Sequence, residues 1–245
     1  MSCPVGHGAS LSLASYYLLM CGRYVLADDI GALSSLCAEF DANLDPVLAE
    51  YQNRPNYNVA PGSNIPVVTD AAGVRVLRQV RWGIVPKWSK NSSTLLINAR
   101  GETVAEKVTF ARSFATRRIL IPASGYYEWK RPAKDPYFIS PPIGDTRIMP
   151  MAGLIADSVI DGQPVHTCAI ITLAAAPNLE PIHDRMPACI SSKNWDAWLD
   201  PSIDVQAALD LLVARTDLQA IPVGRAVNSV RNNSPVLIEE LRDAD

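Results

Sequence analysis

The 245-residue sequence lacks the short motifs that most often mark a bound metal or nucleotide. It contains no phosphate-binding loop, no H-E-x-x-H pair and no glycine-rich dinucleotide fingerprint. Its five cysteines are odd in number, widely spaced and without a C-x-x-C pair, a pattern typical of a reducing compartment rather than of a disulfide framework or a zinc ribbon. We therefore expect no metal and no cofactor, and a cytoplasmic location.

Long apolar runs and an overall positive charge are also missing. The apolar run at residues 11–20 is too short to span a bilayer, and no Lys or Arg precedes it as a secretory signal requires. A lipoprotein signal would need a small residue where Met20 stands. The net charge of -3 excludes a bulk polycation, so nucleic-acid binding would need a local patch. We expect a monomer that does not bind membranes.

Cys21 directly follows an initiator-like methionine, Met20. Residues 1–20 are therefore expected to be a misread start, a removable leader or a disordered extension, and residues 21–245 to form the domain. As a first residue, Cys21 would carry an amine and a thiol on neighbouring carbons. The amine, with a pKa of roughly 8, can condense with an aldehyde to an imine, and the thiol can then close a five-membered thiazolidine. An internal cysteine cannot do this.

Alternating apolar and polar residues predict a chain dominated by short strands. One hairpin joins residues 65–69 to 74–82 across a turn at 70–73, and a turn at Asp161-Gly162 joins the strands predicted at 148–156 and 165–174. In the strand predicted at 125–130, period 2 places Tyr126 and Glu128 on one face and Tyr127 and Trp129 on the other. No repeat or Gly/Ser linker appears, so we expect one α+β domain with a strongly bent, barrel-like, mostly antiparallel β core flanked by helices. Further strands are predicted at 119–122, 125–130, 136–140, 148–156, 165–174, 220–228 and 235–241, helices at 28–40, 101–114, 193–199 and 203–214, and irregular loops at 54–62 and 181–187.

Basic residues concentrate in the middle of the chain. Residues 74–134 contain thirteen Lys or Arg against three acids, together with three tryptophans and two adjacent tyrosines. Such a block is typical of a groove that follows phosphates and stacks bases. The alternative is an ordinary solvated surface.

A series of motifs occurs in order along the chain: Met20-Cys21-Gly22-Arg23-Tyr24, Tyr57-Asn58-Val59-Ala60-Pro61-Gly62, Trp82-Gly83 with Pro86 and Trp88, Ile97-Asn98-Ala99-Arg100-Gly101-Glu102-Thr103, Gly125-Tyr126-Tyr127-Glu128-Trp129, His183-Asp184-Arg185-Met186-Pro187 and Ala226-Val227-Asn228-Ser229-Val230. Taken together, these motifs resemble the SOS response-associated peptidase (SRAP) family. The resemblance implies an α+β domain with a β-barrel-like core that senses abasic sites in single-stranded DNA. It implies a stable DNA–protein crosslink through an N-terminal cysteine, and a thiol autopeptidase activity that exposes this cysteine.

By this resemblance, four residues carry the chemistry. Cys21 is the nucleophile, and Asn98 holds its amine or the sugar hydroxyls. Glu128 is the general acid/base, with burial beside aromatic neighbours raising its pKa. His183 protonates the sugar ring oxygen so that the aldehyde opens. Each of these four residues also has an ordinary structural interpretation, namely a buried apolar thiol for Cys21, a turn-forming residue for Asn98, a surface glutamate for Glu128 and a structural histidine for His183. We expect His166 to be structural.

The resemblance also assigns residues to DNA binding. Arg23 and Arg100 would clamp phosphates, although either could instead pair with Asp184 or Glu102. Trp88 would stack on bases or belong to the core. The remaining members of this group, expected to shape the pocket, are Asn58, Pro61 and Thr172.

The predicted reaction is thiazolidine crosslinking, with strand cleavage by β-elimination as a side activity of the imine. Two rivals stay open. One is a cysteine peptidase in which Cys21, His183 and Glu128 act on a peptide bond, in the narrowest case the bond between Met20 and Cys21. The other is a non-covalent reader of modified bases in single-stranded DNA.

Overall fold

The computed structural model describes residues 21–27, 33–46, 55–89, 94–142 and 148–241; the predicted leader, residues 1–20, lies outside these ranges. Their strands form one eight-stranded and one five-stranded sheet. In chain order the strands are β1 Tyr24–Leu26, β2 Asn43–Leu44, β3 Asn56–Val59, β4 Asn64–Ala71, β5 Val74–Trp82, β6 Asn98–Arg100, β7 Arg118–Ala123, β8 Gly125–Lys130, β9 Asp135–Ser140, β10 Met149–Ile160, β11 Gln163–Ala174, β12 Arg185–Pro187 and β13 Gln219–Pro222. The α-helices in these ranges are α1 Leu33–Phe40, α2 Ala111–Thr116, α3 Trp195–Leu199 and α4 Val205–Asp210.

Five strands of the larger sheet close into a barrel. Strands β11, β10, β7, β4 and β5 are antiparallel neighbours in that order. The ring closes where β5 pairs in parallel with β11, with Arg81 opposite Thr167 and Trp82 opposite Cys168. Closure leaves these strands without a free edge. The predicted barrel-like, mostly antiparallel core in a single α+β domain is confirmed.

The smaller sheet, in the order β13-β9-β8-β1-β3, carries the other part of the core. Because successive side chains of a strand point to opposite faces, β8 contributes to two hydrophobic clusters. Tyr126 belongs to the main cluster that includes the barrel, whereas Tyr127 packs with Val25 and Phe138 in a smaller cluster on the other face. Glu128 shares the face of Tyr126.

Both turns predicted to join consecutive strands are present. Ala72 and Gly73, between β4 and β5, have φ angles of 56° and 82°. Asp161 and Gly162, between β10 and β11, have φ angles of 51° and 78°. Two successive residues with positive φ match the right-handed twist of antiparallel strands, and small or polar residues tolerate that conformation best.

Three predicted irregular or helical segments differ in the structure, and one of them is the loop predicted at 181–187, whose last three residues form β12. The loop predicted at 54–62 contains β3, which pairs with β1 and buries Tyr57 and Val59. In the helix predicted at 101–114, residues 101–110 instead form turns, and Val108 is 96% exposed. There the Gly101 amide donates to the Thr172 backbone oxygen, and Arg185 binds the Glu102 carboxylate.

The remaining differences lie near the ends of predicted elements. The helix predicted at 28–40 is seen as α1, and residues 28–32 lie outside the described ranges. The predicted C-terminal strands are wrong beyond β13, because Arg225–Asn228 and Pro235–Ile238 are single 3₁₀ turns. None of the described helices is long and apolar enough to cross a bilayer.

Candidate active site

Cys21 lies just before β1, buried against β8. Its backbone nitrogen donates a hydrogen bond of 2.6 Å to Oε1 of Glu128. The contact follows from strand pairing: β1 runs antiparallel to β8 with Tyr24 opposite Tyr126, so the chain that precedes β1 passes beside the second half of β8. Cys21 is only 1% exposed.

Glu128 is a buried carboxyl group rather than a surface glutamate. Burial raises its pKa to about 8, and the negative charge of Asp184 adds to the rise. Hydrogen bonds from the backbone amides of Cys21 and Trp129 act in the opposite direction, because they favour the carboxylate. A carboxyl group poised near neutrality can both give and take a proton, as a general acid/base must.

The Cys21 thiol is held in its neutral form. Burial raises its pKa well above the ordinary value, and the neighbouring Glu128 and Cys189 contribute to the same direction. A thiolate is the stronger nucleophile. Attack by this sulfur therefore requires a proton acceptor or a hydrogen-bond donor that stabilises the developing charge.

His183 lies in the loop between β11 and β12, and its side chain is 8% exposed. Two contacts compete at its Nδ1. The Arg185 backbone amide donates to Nδ1 at 3.1 Å, whereas Oδ1 of Asp184, at 3.2 Å, would favour a proton on that nitrogen. The amide is held by the backbone and Asp184 is 84% exposed to water, so we assign the neutral ring its proton on Nε2. The negative charge of Asp184, in this loop, contributes to the raised pKa of Glu128.

The segments that carry Asn98 and His183 meet at one end of β11. Strand β6 pairs with one edge of β11, with Asn98 opposite Ile170 and Arg100 opposite Thr172. Strand β12 pairs with the other edge. Thr172 is fully buried between them, whereas Arg100 is exposed.

An ion pair that was not predicted joins these two segments. Arg185 donates to both carboxylate oxygens of Glu102, at 2.6 and 2.8 Å, and to the backbone oxygen of Thr172 at 2.7 Å. The bond from Arg185 lowers the pKa of Glu102. Both residues lie in the motifs quoted above, but nothing in the sequence pairs two positions so far apart. Pairing of Glu102 with Arg23 or Arg100 is not what the structure has.

Arg23 and Asn58 form a second connection, to the C-terminal part of the chain. Nη1 of Arg23 donates to Oδ1 of Asn58 at 2.9 Å and to the backbone oxygen of Val227 at 3.0 Å. The Asn58 amide also donates to the backbone oxygens of Val227, Ser229 and Asn232. Asn58 is buried and thus anchors this segment, while half-buried Arg23 is oriented by it. Burial lowers the pKa of Arg23.

Trp88 is a surface residue, so its interpretation as a core residue is wrong. It is 66% exposed and lines a cavity of about 360 Å³ together with Pro86, Val108 and Arg112. Pro61 is partly buried in the turn before β4. Among the described residues, neither Trp88 nor Pro61 is hydrogen-bonded to Cys21 or to Glu128. In the described ranges, no three His, Cys, Asp or Glu side chains are grouped closely enough to hold a metal ion.

Comparison with known proteins identifies the class of this protein. Residues 20–230 match the model of the SOS response associated peptidase (SRAP) family, and the chain belongs to this family. It is 36% identical over 229 residues to the abasic site processing protein YoqW of Bacillus subtilis, covering 90% of this chain and 99% of that protein. It is 30% identical over 256 residues to the abasic site processing protein HMCES of Gallus gallus, covering 88% and 76%.

Solved structures agree on the fold. A protein from Bacteroides thetaiotaomicron aligns with a TM-score of 0.76 at 22% identity, covering 91% of this chain and all of that one. A phage-related protein from Bordetella bronchiseptica aligns with a TM-score of 0.63 at 28% identity, covering 83% and 94%. The first similarity, at this low identity, establishes the architecture alone.

Proposed function

We propose that this protein processes abasic sites in single-stranded DNA by forming a thiazolidine crosslink, with Cys21 as the first residue of the mature chain. The observation that carries the proposal is the buried contact of 2.6 Å between the Cys21 nitrogen and Oε1 of Glu128. It puts the atom that must attack an aldehyde next to a group able to move protons. The names of the relatives YoqW and HMCES support an abasic site as the substrate.

The backbone at Cys21 supports a chain end at this residue. Its φ angle is 21°, in a region that residues with a side chain rarely adopt. This angle exists only while a peptide bond precedes Cys21. Removal of the preceding residue therefore abolishes the constraint and converts the nitrogen from a non-nucleophilic amide into an amine.

The first chemical step opens the sugar. Nε2 of His183, in the imidazolium form, gives a proton to the ring oxygen, the bond from this oxygen to C1′ breaks, and the hydroxyl on C1′ gives its proton to the Glu128 carboxylate to become an aldehyde. The Cys21 amine then adds to C1′, and water leaves to give the imine. Glu128, in its acid form, supplies the proton that the departing water takes. Asn98 holds the amine or the sugar hydroxyls.

In the second step the thiazolidine ring closes. The Cys21 sulfur bonds to C1′, and the electron pair of the carbon–nitrogen double bond moves to the nitrogen. The thiol proton passes through the Glu128 carboxylate to that nitrogen, so that no oxidant or other reactant is consumed. Because the imine also acidifies C2′, loss of the 3′ phosphate by β-elimination is a side reaction before closure.

The surface around the site supports binding of a single strand. Exposed Arg100 is the last residue of β6, two positions after Asn98, and Arg23 is oriented by Asn58. Exposed Trp88 offers a ring face for stacking at a separate cavity. Guanidinium groups and an aromatic ring are the usual contacts to phosphates and unpaired bases. Pro61 and Thr172 contribute as parts of the surrounding backbone.

The direct test is incubation of the chain beginning at Cys21 with a single-stranded oligonucleotide containing one abasic site. We expect a product that survives heat and detergent, with an intact mass equal to protein plus DNA minus one water. The same oligonucleotide without the abasic site is the control. Cys21→Ala keeps the amine and lacks the thiol, so it should form an imine and cleave the strand without a stable crosslink. A stable crosslink at the wild-type yield from this variant contradicts the scheme.

Autoprocessing is a second function that the same contact supports. In a chain that retains Met20, the Cys21 nitrogen is the leaving group of the Met20–Cys21 peptide bond, and Glu128 lies where it can protonate this nitrogen. Water adds to the Met20 carbonyl and the nitrogen departs as the free amine. We expect wild-type protein to begin at Cys21 by intact mass and Glu128→Gln to retain residues 1–20. Complete trimming of the variant assigns the cleavage to another agent.

A further inference from the structure

The hydroxyl group of Tyr126 is buried without a hydrogen-bond partner. Tyr126 is 0% exposed, and within the described part of the chain its Oη accepts and donates no hydrogen bond. A buried hydroxyl in this condition lowers stability, because the hydrogen bonds that it made to water in the unfolded chain are not replaced. Tyr127, the next residue of the same strand, is equally buried, yet its Oη donates to the backbone oxygen of Tyr57 at 2.8 Å.

The hydroxyl of Tyr126 lies among the reacting groups. Tyr126 and Glu128 are two residues apart on β8 and so share one face of the strand. On the paired strand Tyr126 is opposite Tyr24, three residues after Cys21. Burial raises the pKa of Tyr126 well above its ordinary value, and the neighbouring acidic groups that add to this are Cys21, Glu128 and Cys189. The hydroxyl therefore keeps its proton and remains a donor at working pH.

Of these three neighbours, Cys21 is the one that needs a donor. Glu128 already accepts from the backbone amides of Cys21 and Trp129. Cys189 takes no part in the proposed reaction. The Cys21 sulfur, in contrast, must carry negative charge during ring closure in a site where burial disfavours that charge. Of these three acidic groups, Cys21 contributes most to the raised pKa of Tyr126.

We propose that Tyr126 is a catalytic residue for ring closure. Its hydroxyl group donates a hydrogen bond to the Cys21 sulfur as this atom loses its proton and bonds to C1′. The role rests on the proposed function and concerns only its second step. The thiol proton still passes to the imine nitrogen by way of Glu128, and Tyr126 gives up no proton. Imine formation, in which the sulfur does not react, should be independent of Tyr126.

The test compares Tyr126→Phe with Tyr127→Phe, each in the chain that begins at Cys21. Borohydride reduces an imine to a stable amine, so trapping at early times measures imine formation, and the heat-stable product without borohydride measures closure. For Tyr126→Phe we expect unchanged trapping and closure about 10- to 100-fold slower, the equivalent of one hydrogen bond to a charged group. Ring closure by this variant should also reach its full rate only at a higher pH than in the wild type, because the Cys21 thiol loses its proton less readily without the donor. Tyr127→Phe should close at the wild-type rate.

The outcomes either support or overturn this role of Tyr126. Closure by Tyr126→Phe at the wild-type rate and pH dependence overturns the role, as does an equal loss of trapping and closure, which would indicate a structural effect. Thermal melting shows whether the variants fold, and Tyr126→Phe, which removes an unsatisfied group, should melt no lower than wild type. If wild-type protein gives neither an imine nor a crosslink, the proposed function itself fails.

Discussion

The two faces of strand β8 differ in how completely their polar groups are satisfied. On one face, Tyr127 donates to a backbone oxygen and Trp129 donates through Nε1 to Asn228 at 2.8 Å. Tyr127 also packs against Phe138 at 5.5 Å between ring centroids. On the other face, the Tyr126 hydroxyl has no hydrogen-bond partner among the described residues, and Glu128 is a buried carboxyl group with a raised pKa.

The difference separates stability from reactivity within one strand. A face selected for stability alone would pair or remove both groups, because unsatisfied hydroxyls and buried carboxyls lower the free energy of unfolding. Both groups are nevertheless present beside Cys21, which fits a site in which they act on the Cys21 sulfur and nitrogen during the reaction. We therefore expect substitutions on the Glu128 face to change the reaction, and substitutions on the Tyr127 face to change stability.

Glu128→Gln should give the largest effect. Glutamine retains an oxygen that can accept from the Cys21 nitrogen but cannot exchange protons, so crosslinking should slow by about 10²- to 10⁴-fold. The measurement is the rate of heat-stable product formation on an abasic oligonucleotide by protein that begins at Cys21. Glu39→Gln, which alters an exposed carboxylate on helix α1, is the matched control and should remain near the wild-type rate. Unchanged kinetics in Glu128→Gln would remove its assigned role.

The pH dependence of stability should be the next largest effect, in the chain that retains Met20. The folded-state pKa of Glu128 is raised to about 8 from an ordinary value near 4.5. Between these values the folded state binds a proton that the unfolded state does not, so stability is greatest below the lower value and falls as pH rises through 8. We expect a loss on the order of a few kcal/mol between pH 5 and pH 9 in urea unfolding, and a flatter profile for Glu128→Gln. If stability depends on pH in the same way in the wild type and in Glu128→Gln, the Glu128 carboxyl group is exposed to water in the folded state.

The smallest of these effects should be that of Tyr127→Phe on stability. The substitution leaves the Tyr57 backbone oxygen without its donor, so urea unfolding should show a loss of about 1–3 kcal/mol. Tyr126→Phe is the matched variant and should lose less, because no hydrogen bond is broken. A greater loss for Tyr126→Phe than for Tyr127→Phe would reverse the comparison of the two faces.

Local pattern was a reliable guide where neighbouring residues decide the conformation. Alternation along β8 predicted that Tyr126 and Glu128 share a face, and the Asp161-Gly162 pair predicted the turn between β10 and β11. Both follow from backbone geometry that acts within a few residues. The predicted helix over 101–114 failed because Gly101 donates to the Thr172 backbone oxygen and Glu102 is bound by Arg185, contacts that local propensity does not include.

The family motifs identified the candidate residues around Cys21. The residues that bind to these candidates in the folded protein come from distant parts of the chain. Arg185 and Glu102 are 83 positions apart, and Arg23 and Val227 are 204 positions apart. Many cations could have paired with each acid. Exposure of Trp88 likewise depends on how the chain folds around it, since the same residue would be apolar core if covered.

The amino-acid sequence by itself determined the strand-rich α+β class, the main hairpins and the family, because hydrophobic period, turn residues and ordered motifs are properties of the chain alone. Only the tertiary structure decided that β5 closes the barrel on β11, that Glu128 touches the Cys21 nitrogen, and that Tyr126 lacks the partner that Tyr127 has. Solvent exclusion and contacts between remote segments arise on folding, and both the raised pKa values and the unsatisfied hydroxyl depend on them.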